Sequence, residues 1–490
     1  MSEEMLINIT PQETRVAVLE NGVLQEVFIE RSRKRGIVGN IYRGKVSRVL
    51  PGMQAAFVDI GLERAAFLHA SDIQSDNAPI PNAEEKTDVP PITEIVRDGE
   101  ELLVQVVKDP LGTKGARLSS FITIPARFLV YMPNTNHVGV SQKIEGDAER
   151  QRLIDIVESL RSEVSQGGFI LRTAAEGVGE AELKADVIFL ERVWNDIQER
   201  IHNKHKGQVV HEDLPLSMRA IRDKVGKDIE KIRIDSKEHF QKISKFVKKF
   251  IPERLAGIEY YSGPRPIFDL YSVEDEIQKA LQSKVQLKSG GHLVIDQTEA
   301  MTTIDVNTGA FVGHRNLDET IFKTNLEATQ AIARQLRLRN LGGIIIVDFI
   351  DMGDDEHKRQ VLRALERSLE RDHAKTNISE VSSLGLVQMT RKRTRESLEH
   401  VLCEPCPVCH GRGTVKTPET ICYEIFRELL REARQFEAQQ FLVLAAQTVV
   451  DIMLDEESAS VAELEAFIGK PIKFQVETEY TQELFDVVLM

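Results

Sequence analysis

Three side chains in the middle of this 490-residue sequence have the types and spacing for a divalent-cation site: Asp305, with Asn307 beside it, and Asp348, the two carboxylates being the ligands. The first two lie in MTTIDVN, a short, β-branched, alternating run that predicts a strand. The third follows IIIV, a continuous apolar run that predicts a strand buried on both faces. Between them a helix is expected. Asn316 is its N-cap with Glu319 as capping-box partner, and Phe322, Leu326, Ala328, Ile332 and Leu336 recur at helical spacing. Arg334, Arg337 and Arg339 crowd its last turns, and Gly342–Gly343 ends it. A strand–helix–strand unit makes its two strands parallel, so both finish at one edge of a sheet. Asp305 and Asp348 then converge there, with Asn307 on the same strand face as Asp305. Two carboxylates so placed repel unless a proton or cation lies between them. Mg²⁺ suits such a site, because it prefers oxygen ligands and keeps waters, one of which can attack a phosphodiester. The plainer reading makes both acids solvent-facing strand-end caps; an acid directly after IIIV weighs against it, since burying one unpaired is costly.

A second candidate is CEPCPVCHGRG, where Cys406 and Cys409 form a Cys-Pro-x-Cys knuckle followed by Gly411 and Gly413, a turn suited to Zn²⁺ thiolates. One pair supplies two ligands of the four a structural zinc takes. Either Cys403 or His410 completes the set within the chain, or two chains contribute a pair each, as an isologous contact would arrange. A redox role is not expected, because no thioredoxin-like context is visible around the motif.

The combination TTIDVNTG, NLEATQAIARQLRLRNLGGIIIVDFIDM and CPVCHGRGTV closely resembles the bacterial ribonuclease E/G family, over essentially the whole chain. The resemblance implies that Asp305 and Asp348 hold a catalytic Mg²⁺, that Asn307 helps orient an aspartate or the scissile phosphate, and that Cys406 and Cys409 share a Zn²⁺ with a second chain. It further implies a multidomain α/β protein. Residues 1–36 and 216–280 would form an RNase H-like subdomain, 37–120 an inserted S1-type OB barrel, and 121–215 a 5′-sensor domain. Residues 281–402 would form a DNase I-like catalytic subdomain, 403–415 the zinc link, and 416–490 a small α+β C-terminal domain.

The chain in order fits that division. Residues 1–36 alternate apolar and polar, with Asn21–Gly22 as a hairpin signal, and are too few to stand alone. Short glycine-punctuated strands from 36 to 120 suit a small barrel, interrupted by a long insertion at 72–96 rich in Pro, Asn and acids. On an OB face Phe57 and Phe67 would stack on bases while Lys108 and Lys114 meet phosphates; the competing reading puts both phenylalanines in the core. In GGFILRTAAEG, Arg172 and Thr173 match the family's pair that grips a 5′-monophosphate, while its other pocket arginine appears here as Gln142. Helices are expected at 146–165, 184–202 (with Trp194 as packing), 216–250, 354–373 and 418–438, and strands in FLVLAA, KPIKFQVET and FDVVLM.

Sixty-three Lys+Arg against 77 Asp+Glu give a net charge of −14, so RNA contact must come from local clusters such as RSRKR at 31–35, KFVKK at 245–249 and RKRTR at 391–395. The last lies close in sequence to the acidic site and could line the substrate path. No secretory signal or membrane-length apolar run is visible, and a cytoplasmic protein is expected. By the resemblance, no disordered Pro- and Arg-rich scaffold tail of the kind carried by longer family members is expected. The expected activity is Mg²⁺-dependent internal cleavage of single-stranded A/U-rich RNA, leaving 5′-phosphate and 3′-hydroxyl ends. The substrates implied are precursors of 16S rRNA and tRNA, and mRNA; cleavage is favoured by a 5′-monophosphate, in a zinc-linked homodimer or higher oligomer. The rival is a non-catalytic RNA-binding ribosome-assembly factor using the barrel alone. A nucleotide phosphotransferase would need a GxxxxGK[ST] loop, which the sequence lacks.

Overall fold

A computed structural model describes residues 3–73, 90–111, 114–144, 146–164, 167–203, 208–224, 229–309, 317–372, 374–382, 384–393 and 395–490. It divides into two units, 1–401 and 402–490. The expected N-cap Asn316, most of the 72–96 insertion and Thr394 of the RKRTR cluster lie outside the described residues.

The chain opens with three antiparallel strands, β1 (Glu3–Ile9), β2 (Glu13–Glu20) and β3 (Val23–Arg31), turned at Asn21 and Gly22, both left-handed. Next comes a barrel of β4 (Ile41–Leu50), β5 (Ala55–Asp59), β6 (Ala66–His69), the one-turn helix α1 (Ile92–Ile95), β7 (Glu101–Lys108) and β8 (Arg117–Ser119). Pairing in the order β4-β5-β6-β8-β7 closes on itself through β4–β7, which removes both sheet edges. A four-stranded sheet follows, from β9 (Ile124–Pro125), β10 (Leu129–Met132), β11 (Val138–Val140) and β12 (Gly168–Leu171). Helices α2 (Asp147–Val164) and α3 (Glu180–Asn203) pack on it around Phe169, Leu171, Leu153 and Leu190; half-buried Trp194 sits edge-on to Tyr131 in that core. The chain then returns to the barrel as β13 (Val209–His211), which pairs with the start of β4.

Residues 216–250 are not one helical stretch, as the charge pattern suggested. Between α4 (Leu216–Lys224) and α5 (Lys237–Phe250) runs β14 (Ile229–Ile234), parallel to β1, with β15 (Ile258–Tyr260) parallel beyond it. IEKIRI buries Ile229, Ile232 and Ile234, so its lysine and glutamate concealed a strand pattern. The N-terminal strands are thereby completed into a sheet ordered β15-β14-β1-β2-β3. Helices α6 (Ile267–Leu270) and α7 (Val273–Ala280) lead into the last large sheet.

That sheet comprises β16 (Lys284–Gln286), β17 (His292–Gln297), β18 (Met301–Asn307), β19 (Gly343–Asp348), β20 (Thr376–Val381) and β21 (Leu386–Arg391), in the order β16-β17-β18-β19-β21-β20. Helices α8 (Leu317–Leu338) and α9 (Asp355–Leu369) cover one face only: Ala328, Ile332, Leu336, Val361 and Leu365 meet Ile304, Val306, Ile345, Val347 and Val387. The expectation that IIIV is buried on both faces fails here. Ile344 is 48% exposed, because α8 and α9 lie on the same side and leave the opposite face to solvent.

The second unit begins within α10 (Leu398–Leu402) and contains α11 (Pro418–Gln435), β22 (Phe441–Ala445), α12 (Gln447–Leu454), α13 (Ser458–Ile468), β23 (Ile472–Val476) and β24 (Phe485–Leu489). Its three strands were expected; α12 and α13 were not, because QTVVDIML has no clear helical stripe of its own. No helix among the described residues is long and apolar enough to cross a membrane.

Candidate active site

β18 and β19 are parallel neighbours, and Asp305 is the direct register partner of Asp348, at the last pair of the ladder. Neighbouring strands run about 4.8 Å apart, which brings the two carboxylates together on the open face. Both are exposed. Asn307, two residues beyond Asp305 on the same face, donates its Nδ2–H to Asp305 Oδ2 at 2.8 Å. Partial burial, with the fields of Asp305 and Asp351, raises the pKa of Asp348 above the usual carboxylate range. That mutual repulsion is what a cation would relieve, and the donor set is oxygen only. Among the described residues no third acid, histidine or cysteine joins them as a metal-ligand group. Two carboxylates leave most of a magnesium ion's coordination to water and phosphate, so the residues fit the ion.

The Cys406–Cys409 knuckle has the backbone its motif implies. His410 N–H donates to Cys406 O at 2.8 Å, and His410, Gly411 and Gly413 are all left-handed, a conformation that favours glycine. Backbone N–H groups of Gly413, Gly411 and Arg412, with the Cys406 side chain, point at the Cys409 thiol and depress its pKa. A ring of amides around sulfur stabilises thiolate and suits zinc. Cys403 is exposed, and neither it nor His410 joins the pair into a group of three. Among the described residues the knuckle thus offers two thiol ligands, Cys406 and Cys409, and no third.

On the barrel, Phe57 and Phe67 are cross-strand partners, half-buried, with ring centroids 6.4 Å apart edge to face. His69 continues the row, 6.5 Å from Phe67. Lys108 and Lys114 are exposed, at the end of β7 and in the turn after it.

Arg172 and Thr173 follow β12, and they point differently. The Arg172 guanidinium donates from Nη1 to the Ala126 carbonyl at 2.7 Å. Thr173 lines a cavity of about 380 Å³ shared with the six-stranded sheet: Lys143 and Thr173 on one side, Ile344, Lys375, Asn377 and Lys392 on the other. Lys392 Nζ lies 3.3 Å from Thr173 Oγ1, and Lys375 Nζ 3.6 Å from a Glu176 carboxylate oxygen. Gln142 carries no charge, but the next residue brings a lysine to the cavity. Only part of the RKRTR cluster is available to a substrate. Arg391 is buried in a bidentate pair with Asp372, and the Arg395 guanidinium sits 3.7 Å over the Phe28 ring. Lys392 and Arg393 remain exposed.

A model of the Ribonuclease E/G family matches residues 123–394, and an S1 RNA binding domain model matches 37–119. Ribonuclease G of Escherichia coli (strain K12) is 58% identical over 491 residues, covering all of both chains. The chain belongs to the ribonuclease E/G family. Ribonuclease G of Haemophilus influenzae is 57% identical over 489 residues, covering 99% of each chain. Ribonuclease E of Escherichia coli (strain K12) is 36% identical over 471 residues, covering 94% of this chain and 44% of the relative. Residues 405–488 match a model described as the RNase E/G thioredoxin-like domain, which corrects the expectation that no such context surrounds the cysteines. Even so, Cys406 and Cys409 precede α11 and do not sit at the β22–α12 turn.

Sequence reasoning missed Lys143, Lys375 and His69, while Lys392 lay within the RKRTR cluster it named. His69 had a signal, since it shares the alternation of Phe67 in AFLH. Lys143 and Lys375 had none: each is a lone lysine in its own segment until the fold brings it beside Lys392.

Proposed function

We propose that this chain cuts single-stranded RNA at the open edge of the β18–β19 pair, with Asp305 and Asp348 holding Mg²⁺. As a ribonuclease E/G member it is an RNA-processing endoribonuclease. The observation that carries the reading is the in-register, solvent-open meeting of Asp305 with Asp348.

Magnesium bound there would supply positive charge to the scissile phosphate and make a water more acidic. The chain's own residues do the rest. The Asn307 amide occupies one oxygen of Asp305 and so fixes the carboxylate's rotation, leaving the other oxygen for the site. Exposed Thr303 and Gln388 and half-buried Ile346 lie on the same open face as the acids, where an unpaired strand can reach them. Attack of water on phosphorus breaks the bond to the 3′ oxygen, which takes a proton; the products are a 3′-hydroxyl and a 5′-phosphate.

Phe57 and Phe67, joined by His69, form a stacking row on which bases of either kind can lie, while Lys108 and Lys114 meet the backbone. The Lys143, Thr173, Lys375 and Lys392 cavity suits a terminal monophosphate, because several cationic donors surround a small volume. Its size and charge favour a monophosphate end over a hydroxyl. The Cys406–Cys409 half-site takes Zn²⁺ together with the same pair of a second copy, giving a homodimer. The substrates proposed are A/U-rich stretches of rRNA precursors, including 16S, tRNA precursors and mRNA in the cytoplasm.

The test uses one short labelled RNA bearing a 5′-monophosphate or a 5′-hydroxyl, with and without Mg²⁺, and the Asp305→Asn chain. Cleavage that needs Mg²⁺, is faster on the monophosphate and vanishes in Asp305→Asn with RNA binding retained supports the reading. Cleavage surviving in Asp305→Asn moves the site elsewhere; binding without any cleavage by the unaltered chain returns the assembly-factor alternative.

A further inference from the structure

The Asp305–Asp348 pair is the last rung of its ladder, and strand ends are where pairing frays. What holds the chain just past Asp348 therefore decides where that carboxylate sits. Two residues on, the peptide groups of Ile350 are gripped by one side chain. Asn325 Nδ2 donates to Ile350 O at 2.8 Å, and Ile350 N–H donates to Asn325 Oδ1 at 3.1 Å. The amide thus pairs with Ile350 as a neighbouring strand would, offering one donor and one acceptor to the same residue. Asn325 lies on α8, is fully buried, and projects from the helix that joins the two acid-bearing strands. A buried amide is tolerated only when its groups are satisfied, and here both are satisfied by backbone.

We propose that Asn325 is a positioning residue for the metal site: its clamp on Ile350 sets the end of β19, and through it the separation of Asp348 and the adjacent Asp351 from Asp305. It touches neither substrate nor ion. The proposal rests on the metal-site reading above. A neighbouring contact makes the other half of the same bracket. Glu327, half a turn along α8, accepts from Lys288 N–H (2.6 Å) and Ser289 N–H (3.2 Å), holding the turn that leads into β17 beside Asn307. One stretch of helix therefore ties down the chain on both flanks of the acidic edge.

The experiment compares Asn325→Ala and the milder Asn325→Ser with Thr329→Ala, all in the full chain. Thr329 is equally buried one turn further along α8, but its hydroxyl bonds only to Leu326 O within the helix. Three quantities are read: Mn²⁺ affinity by electron paramagnetic resonance without RNA, the Mg²⁺ concentration for half-maximal cleavage, and KM for RNA at saturating Mg²⁺. Loss of a group that orients a metal ligand weakens metal affinity by about 10- to 100-fold. Asn325→Ala should weaken Mn²⁺ binding and raise the Mg²⁺ requirement by about tenfold or more, with KM within about twofold. Asn325→Ser, keeping one hydroxyl, should fall between Asn325→Ala and the unaltered chain, and it carries the test if the alanine chain fails to fold. Thr329→Ala should lose stability with no shift in either metal reading. An unchanged metal requirement in a folded Asn325 variant, or an equal shift in Thr329→Ala, overturns the proposal. If the unaltered chain itself shows no divalent requirement, the metal-site reading fails and not the clamp.

Discussion

One strand carries two regions of opposite charge. At its end β19 presents Asp348 to Asp305; near its start, Ile344 lines the cavity of Lys143, Lys375 and Lys392. Four residue steps along the strand separate them, about 13 Å. The acidic end is built from one strand–helix–strand unit, so its partners are close in the chain and in register by construction. The basic end is collected from segments 143, 173, 375 and 392, which meet only after two sheets have formed and docked. A site carried by one local unit is set by that unit's register; a site gathered from several segments depends on every contact between them.

The largest effect expected at the acidic end is from Asp348→Asn. It should lower the single-turnover cleavage rate by roughly a thousandfold or more while RNA affinity stays within about twofold. Equal loss of binding and rate would make this edge a binding surface like the other. Next in size is a test of the frame shared by both ends. Glu26 on β3, with Glu20 on β2, grips Arg337 of α8, and Lys224 lies 2.8 Å from Glu26. Burial alone would raise the Glu26 pKa, but Lys224, Arg337 and Arg395 overcome it and bring it down to about 2. A carboxylate whose folded pKa is depressed adds stability above its unfolded value, near 4.5, and that stability is lost as pH falls towards 2. Glu26→Gln should therefore destabilise the chain by roughly 3 kcal/mol at pH 7 in urea unfolding, and flatten its stability between pH 4.5 and 2.

At the basic end, replacing Lys375 and Lys392 together with alanine should reduce the preference for monophosphorylated over hydroxyl ends by about tenfold, leaving hydroxyl-ended RNA cut at its usual rate. A fall in both rates would show that the two ends of β19 are not separable. The smallest expected effect is on the barrel: Phe57→Ala should weaken RNA binding by roughly 1 to 2 kcal/mol in a titration, with the cleavage rate at saturation unchanged.

The same contrast explains what could be read from the chain itself. Asp305, Asn307 and Asp348 were legible because strand alternation and the parallel rule place them together with no knowledge of the rest. Phe57 and Phe67 were legible for a similar reason, being cross-strand partners in one short hairpin. The run IIIV misled: apolarity told that a strand was there, but which face stays open depends on where α8 and α9 pack. RKRTR misled too, since Arg391 and Arg395 are taken up by Asp372 and Phe28, partners 19 and 367 residues away. β14 was hidden because its outward Glu230 and Lys231 read as part of the flanking charged helices. Asn325 carried no signal at all, as an asparagine in mid-helix predicts only a slightly poorer helix.

The uncovered face of the six-stranded sheet has a consequence for how this molecule could diverge. Thr303, Ile346, Gln388 and Thr390 stand on it without supporting the packed side, where Ile304, Val306, Ile345 and Val347 meet the helices. Drift can rewrite that outer row while the chain goes on folding, because the packed side does not depend on it.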